Sequence, residues 1–472
     1  MAEKTLENRE NSASEPAAPP KDPIDYNLKD DDIRDVVEAL HAQDADTLYT
    51  ALEDLSSADT AELLAKIKED EREELLSKFG DVLDPETFVE LDTEISKSTL
   101  SAMSAAQVAE IISDLESDDA LLLIEPLEPD FQKEIMKKLT TKMRVALEEG
   151  LSFPEDSAGR MMSRDLVAIP EFWTVGKTID YMRTAADTLP ESFFDVFIID
   201  PSYHVVGEVP LSQIVRATRS EKVKNLTMAE THPIPAEMDQ EEVAHLFRRE
   251  NIVSAPVIDP DGRLLGVITI DDIIDVIDEE AEEDILRLAG VGQQGDLYNA
   301  VISTAGNRFS WLLVNLLTAI LASVVISFFD ATIEQVVALA VLMPIVASMG
   351  GNAGTQALTV AVRALATREL SGTNTWRAIW KETLVGAVNG FLFAMLTGLI
   401  AGLWYGNAVL GAVIAAAMII NLIAAGLFGA GIPLFLDKIG SDPAISSSVL
   451  LTTVTDVVGF LSFLGLAAVF LI

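Results

Sequence analysis

The sequence predicts a multidomain membrane protein, with an all-α N-terminal superhelical domain, an α/β domain built from an internal repeat, and a five-helix α transmembrane domain. Charge divides the chain: from residue 300 onward six Lys/Arg face seven Asp/Glu, which leaves −41 of the formal −42 to the region before it. Five apolar stretches follow that region, each approaching or exceeding the roughly 20 residues that cross a hydrocarbon core. Near the middle of the last, Asp456 is the only formal charge in residues 443–472. A carboxylate at that depth costs about 2.5–3.5 kcal/mol on insertion scales and is normally kept for an ion, a proton or a buried partner. No apolar stretch holds a Lys, Arg or His to pair with it, so an external cation is the first candidate.

Residues 1–23 are acidic and Pro-rich without an apolar signal core, which predicts a disordered cytoplasmic tail. From 24 to 153 apolar residues recur at three- and four-residue spacing, as in AELLAKIK, REELLSKF and AQVAEIISDL, with Ser, Asp and Pro between the segments. Short helix pairs of this kind stack into a superhelix. PEDSAGRMM, from Pro154, marks the exit. Residues 154–275 contain the repeat: FIIDPSYHVVGEVPLSQIV from Phe197 realigns with PVIDPDGRLLGVITIDDII from Pro256, matching Asp200 with Asp259 and Gly207 with Gly266. Each copy reads helix, strand, turn, strand, helix. The pattern resembles a tandem CBS pair, a module that binds adenosine nucleotides or cations between its halves and often dimerises. On that resemblance Gly266, Thr269 and Asp272 keep the Gly-x-x-Thr-x-x-Asp pattern whose hydroxyl and carboxylate hold a ribose. Pro210 and Gln213 stand at those places in the first copy. At most one intact half-site, for ATP, is expected, with an empty structural fold as the alternative.

Residues 276–305 are assigned to an acidic connecting, or plug, helix. IIDVIDEEAEEDILRL, from Ile273, places Ile274, Ile277, Ala281, Ile285 and Leu288 on one stripe and Asp275, Asp278, Glu279, Glu282 and Glu283 elsewhere. A charge run is usually only a solvated face, but joined to a region of −41 this one reads as a cation sensor. The transmembrane domain, 306–472, has spans at 311–329, 336–362, 384–405, 408–436 and 444–471. Basic residues follow the second span (Arg363, Arg368, Arg377, Lys381) and the fourth (Lys438). The positive-inside rule then predicts a cytoplasmic soluble region and an outside C-terminus of a multi-pass cell-membrane protein.

The second span contains PIVASMGGNAGTQALT. As a helix it aligns Ser348, Asn352, Thr355 or Gln356, and Thr359 in an uncharged polar stripe. Gly350 and Gly354 form a GxxxG, which means close helix packing or, alternatively, an unwound backbone turned to a pore. In the fifth span Thr452, Thr453 and Gly459 share a face with Asp456, so the alternative to an ion is a carboxylate bonded to these threonines, or protonated. Asn421 in the fourth span and Asn389 in the third add amide oxygens, Asn389 more as a bond between helices.

The acidic helical domain, CBS pair, acidic connecting helix, five spans, GGNAGTQ, SDPA and TDVVGF together resemble the MgtE family of magnesium channels, over essentially the whole chain after the tail. GGN-x-G-x-Q with a mid-membrane Asp is the specific part; the CBS repeat alone is not. The resemblance implies a homodimer with a pore on its twofold axis, hydrated Mg²⁺ held by Asp456 of each subunit, and a gate shut by cytoplasmic Mg²⁺ drawing the acidic domains together. Carried over, the pore residues are Gly351, Asn352, Gln356 and Asp456, with Asn421. Members often carry Asn where Thr355 stands. Candidate regulatory carboxylates are Asp118, Asp119, Asp271, Asp272, Asp275, Glu279, Glu282, Glu283 and Asp284; Thr269 and Asp272 are the candidate nucleotide pair.

Ligand chemistry agrees with that resemblance. The chain has no Cys and four scattered His, so oxygen ligands remain, which suit Mg²⁺, Ca²⁺ or Mn²⁺. Mg²⁺ keeps several waters and needs few carboxylates, whereas a Ca²⁺ cage would need more of them in the membrane. The acidic charge repels nucleic acid, membrane lipid surrounds the spans, and no nucleophile–base pair suggests an enzyme. A secondary Mg²⁺ transporter coupled to Na⁺ or H⁺, and a membrane-anchored divalent-cation sensor, are the competing classes.

Overall fold

The computed structural model describes residues 28–53, 55–80, 83–190, 192–228, 231–291, 301–370 and 373–472. The expected tail, 1–23, lies outside them. The chain divides into two units, Met1–Ile270 and Asp271–Ile472.

The first unit opens with short α-helices, from Asp30–Ala42 to Thr141–Gly150. Their starts are fixed by the side chains that the punctuation supplies: Ser56 accepts from the Asp59 N–H, Thr140 from the Met143 N–H, and Ser104 exchanges bonds with Gln107 in a capping box. Each helix turns its apolar stripe inward, so that Leu63, Leu75, Phe88, Leu100 and Ile112 fill one continuous core. Lateral bonds tie this domain to the chain that leaves it: Arg164 pairs with Glu149 at 2.7 Å, Lys142 with Asp165 at 2.8 Å, and Ser117 Oγ accepts from the Arg164 N–H at 2.7 Å.

The repeat forms two three-stranded sheets of the same order, β1 (Ala168–Pro170), β2 (Asp195–Ile199) and β3 (Val205–Pro210), then β4 (Ile234–Pro235), β5 (Ser254–Ile258) and β6 (Leu264–Thr269). In each, the lead strand pairs parallel and the hairpin antiparallel, with a register shift at its turn end. The repeat reading gave two strands per copy. The lead strands β1 and β4 are three and two residues long, too short to leave a period in the sequence. Both hairpin turns are the same Asx structure. Asp200 Oδ1 accepts from the Ser202 and His204 N–H groups, and Asp259 Oδ1 from those of Asp261 and Arg263. The matched residue in each turn is left-handed, Tyr203 at φ 68° and Gly262 at φ 84°; only the glycine takes that conformation without strain.

A single helix, Ile270–Leu288, opens directly from β6. It buries Ile273 and Val276, whereas Ile274, Ile277 and Ile285 of the expected stripe are 54%, 37% and 68% exposed. The buried line thus runs one residue round the helix from the expected one. Gly290, at φ 70°, closes the segment, and residues 292–300 of the expected connector lie outside the described residues. At its end Leu288 packs on Leu358, Val362, Ala444 and Leu451. Arg287 donates to Asp442 Oδ2 at 2.5 Å and pairs with Glu283.

Among the described residues five helices are long and apolar enough to cross a membrane: Thr304–Ser327, Ala338–Ala366, Thr375–Tyr405, Ala408–Lys438 and Ser447–Phe470. They are the first to fifth spans below. A short helix, Asp330–Gln335, separates the first two, and the fifth begins at Pro443, capped by Asp442 accepting from the Ala444 N–H. The fourth span is the packing centre. It approaches the third so closely that a Cβ on Gly386 would stand 2.3 Å from Leu422 O, and one on Gly426 would stand 2.4 Å from Glu382 O.

Candidate functional site

The polar stripe of the second span is present and open. Ser348, Asn352, Thr355, Gln356 and Thr359 are all exposed along one continuous helix, Ala338–Ala366. Leu342, Val346, Gly350, Gly354, Ala357, Leu358 and Ala361 turn the other way and are buried, while Val341, Ile345 and Val360 are exposed with the stripe. A membrane helix with a polar side turned outward from its own chain lines water or another polar surface. The backbone is not unwound at the glycines. Gly350 and Gly354 serve packing: an added Cβ would stand 2.1 Å from Asn421 Nδ2 and 2.9 Å from Leu451 Cδ1. Gly351, one step round, is different, since nothing lies within 4 Å of a Cβ there.

Asn421 is removed from the open face. It is 0% exposed, its Nδ2 donates to Val346 O at 2.8 Å, and Gly350 and Gly459 flank it. The fourth span thereby bolts the second and fifth together at the level where the glycines leave room. Its Oδ1 has no hydrogen-bond partner among the described residues, but it is sealed inside the packing. Within one chain Asn421 therefore stands apart from the open face on which the other pore candidates lie.

Asp456 is half-buried on the fifth span, without a hydrogen bond or ion pair among the described residues. The threonines expected as its alternative partners are engaged elsewhere. Thr452 Oγ1 donates to Ser448 O at 2.9 Å and Thr453 Oγ1 to Val449 O at 2.7 Å, both along their own helix. Thr355 and Thr359 likewise donate to Gly351 O and Thr355 O, which leaves the Ser348 hydroxyl and the amides of Asn352 and Gln356 as the stripe's free-reaching groups. Second and fifth spans pack directly, with Gly354 against Leu451.

The nine regulatory candidates separate between the two units. Asp118 is buried and Asp119 half-buried on helix Ser117–Ile124, while Asp271, Asp272, Asp275, Glu279, Glu282, Glu283 and Asp284 lie along the connecting helix. Among the described residues no three His, Asp or Glu side chains form a group that could hold a metal ion. The most crowded is Asp284, whose carboxyl is pushed up to about 6 by burial, then by Asp442 and Glu280. Asp442, the acid of the SDPA motif but not among the candidate site residues, binds Arg287 and caps the fifth span at once. Thr269 closes β6 and Asp272 sits in the first turn of the connecting helix.

Comparison with known proteins decides the family. A family described as a divalent cation transporter matches residues 343–466, the MgtE intracellular N domain matches 55–156, and the CBS domain matches 223–279. The magnesium transporter MgtE of Bacillus subtilis (strain 168) is 30% identical over 424 residues, which is 89% of this chain and 93% of that protein. The chain belongs to the MgtE family. The MgtE of Thermus thermophilus is 32% identical over 360 residues, covering 75% of this chain and 78% of the relative. Among solved structures, the cytosolic domain of the Mg²⁺ channel MgtE in complex with ATP is 26% identical. It covers 52% of this chain and 99% of that one, at a TM-score of 0.49. Membership makes the chain a multi-pass membrane transporter of the magnesium class with an intracellular N domain.

Proposed function

We propose that the protein is a homodimeric, Mg²⁺-conducting channel of the cell membrane whose gate is shut by cytoplasmic Mg²⁺. The observation that carries the reading is the open polar face of the second span beside an unpaired Asp456 on the fifth. A second copy facing that surface completes a water-filled path, with two carboxylates near the bilayer centre and the amides of Asn352 and Gln356 along it. Mg²⁺ gives up its water shell reluctantly, so a site offering two carboxylates and amide or carbonyl oxygens holds it with waters in place. The open face at Gly351 lets that hydrated ion approach the backbone.

Gating follows from crowding. Like charges at 4 Å repel by about 4 kcal/mol at an effective dielectric of 20, and the connecting helix gathers seven of the candidate acids. Among the described residues no three acids or histidines form a group that could hold a metal; in this reading the bridging sites form where acidic surfaces come together, which makes closure depend on the ion. Asp118 and Asp119 are the helical domain's contribution. ATP at the second repeat, through Thr269 and Asp272, is part of the same reading and is tested by loss of ATP binding in Thr269→Ala.

The deciding experiment is ion flux into liposomes holding the purified protein, with Mg²⁺, Ca²⁺ and Mn²⁺ compared and Na⁺ and proton gradients imposed and removed. Gradient-independent, Mg²⁺-preferring flux is expected. Flux that needs a Na⁺ or proton gradient would replace the channel by a coupled transporter, and absence of flux would leave a sensor.

A further inference from the structure

The two repeats hold between them a cleft that the transport reading leaves unused. It has a volume of about 990 Å³ and lies between the end of β3 with the helix after it, Leu211–Arg216, and the end of helix Gln240–Glu250 with the start of β5. Phe194, Leu211, Val215, Met228 and Val253 give it an apolar lining. Two buried acids share that lining. Asp195 is 8% exposed and accepts from Ser254 Oγ at 2.6 Å, a bond that joins the two repeats. Glu208 is 1% exposed, and its Oε2 is buried without a hydrogen-bond partner among the described residues. The two are diagonal neighbours on one face of the hairpin, because Asp195 stands opposite Pro210 and Phe197 opposite Glu208.

A buried polar oxygen without a partner is costly and calls for a proton or a ligand. Among the described residues the lining supplies no Lys or Arg, and Glu250 adds a third acid, itself paired with Arg249. A phosphate placed here would meet three acidic side chains, with His232 as the one basic group among the described lining residues. Pro210 and Gln213 also occupy the places of the ribose-binding Thr and Asp. The charge and the apolar wall select the opposite kind of molecule.

We propose that this cleft binds a small organic ammonium ion with an apolar body, its cation on Glu208, and does not take a nucleoside phosphate. The ammonium supplies the donor that Oε2 lacks, and its carbon body covers the aliphatic and Phe194 surface. Burial, then Asp195, holds the Glu208 carboxyl up at about 7, so an arriving ammonium displaces its proton. Asp195, His232 and Glu250 are the other titratable groups that face the cleft. Binding therefore strengthens as pH rises through about 7 and levels off above it, by about tenfold between pH 6 and pH 8.

The test is calorimetric titration of the full chain in detergent with phenethylamine and tryptamine, which stay protonated over that range, followed by competition with ATP. Saturable binding with the stated pH dependence is expected, at least about tenfold weaker and flat with pH in Glu208→Gln. Ser212→Lys, on the exposed rim, leaves the core intact and should also weaken the amine, which keeps the proposal testable if Glu208→Gln folds poorly. Absence of amine binding, equal binding by wild type and Glu208→Gln, or displacement of the amine by ATP would each overturn it.

Discussion

Asp456 and Gly351 separate the roles that a single residue plays at the proposed pore. Asp456→Asn keeps shape and hydrogen bonding but removes the charge, and Mg²⁺ flux should fall by about tenfold or more while the protein remains folded; wild-type flux in that variant would sink the assignment. Gly351→Ala adds a methyl group that meets nothing within the chain. It should leave thermal stability unchanged and still reduce flux, because the methyl projects onto the open face. Gly350→Ala is its counterpart, since that methyl collides with Asn421 and should cost about 1–3 kcal/mol of stability by overpacking, read from unfolding in detergent. Glu208 gives a different readout. Its folded value, about 7, lies above the ordinary 4.5, so the folded state keeps a proton that the unfolded chain has lost. Stability then falls as pH rises through that window. Glu208→Gln removes the dependence, and its stability relative to wild type should improve from pH 5 to pH 8 by on the order of 3 kcal/mol.

The elements differ in how far the sequence foretold them. The repeat was legible because its turns need the same chemistry twice, Asp200 and Asp259 each folding two N–H groups onto one carboxylate. The lead strands β1 and β4 were not, because strands of two or three residues are set by their neighbours and not by their own alternation. The connecting helix was legible in kind but not in facing, as Ile273 and Val276 are buried while Ile274 and Ile285 stay exposed. Apolar side chains occur on both sides of that helix, so periodicity alone does not choose between them. The stripe of the second span was readable from spacing, while the bond of Asn421 to Val346 O was not, because an amide in an apolar span signals a polar contact without saying with what. Asp442 was visible within SDPA but its role was not, since a cap and a partner of Arg287 are joined only in three dimensions. For this element the expected outcome concerns Mg²⁺ sensing. Replacing Glu282, Glu283 and Asp284 by Gln, Gln and Asn should move the closing midpoint to higher Mg²⁺ in flux and in protease protection of the soluble region, because bridged carboxylates contribute more than relieved repulsion. Unmoved midpoints would make these residues a solvated surface.

For the whole molecule, the division of charge between the two parts of the chain fixes which one meets water and which one meets lipid. A protease site placed after Ile472 should be cut only from the outer face, as an odd number of spans with a cytoplasmic N domain requires; cutting from the cytoplasmic side would refute the topology. Crosslinking of the purified protein should give a dimer, and pairs engineered along Ser348, Asn352 and Thr359 should join between copies. The bond of Arg287 to Asp442 adds a mechanical consequence. The fifth span runs unbroken from that anchor to Asp456, about 14 residues or about 21 Å at 1.5 Å per residue. A rigid rod of that length turns small angles into useful displacements. Tilting it by about 5° about its Asp442 end carries the carboxylate sideways by about 2 Å, the length of one Mg²⁺–oxygen bond, so under the proposed gating a very small movement of the connecting helix would decide whether the ion fits.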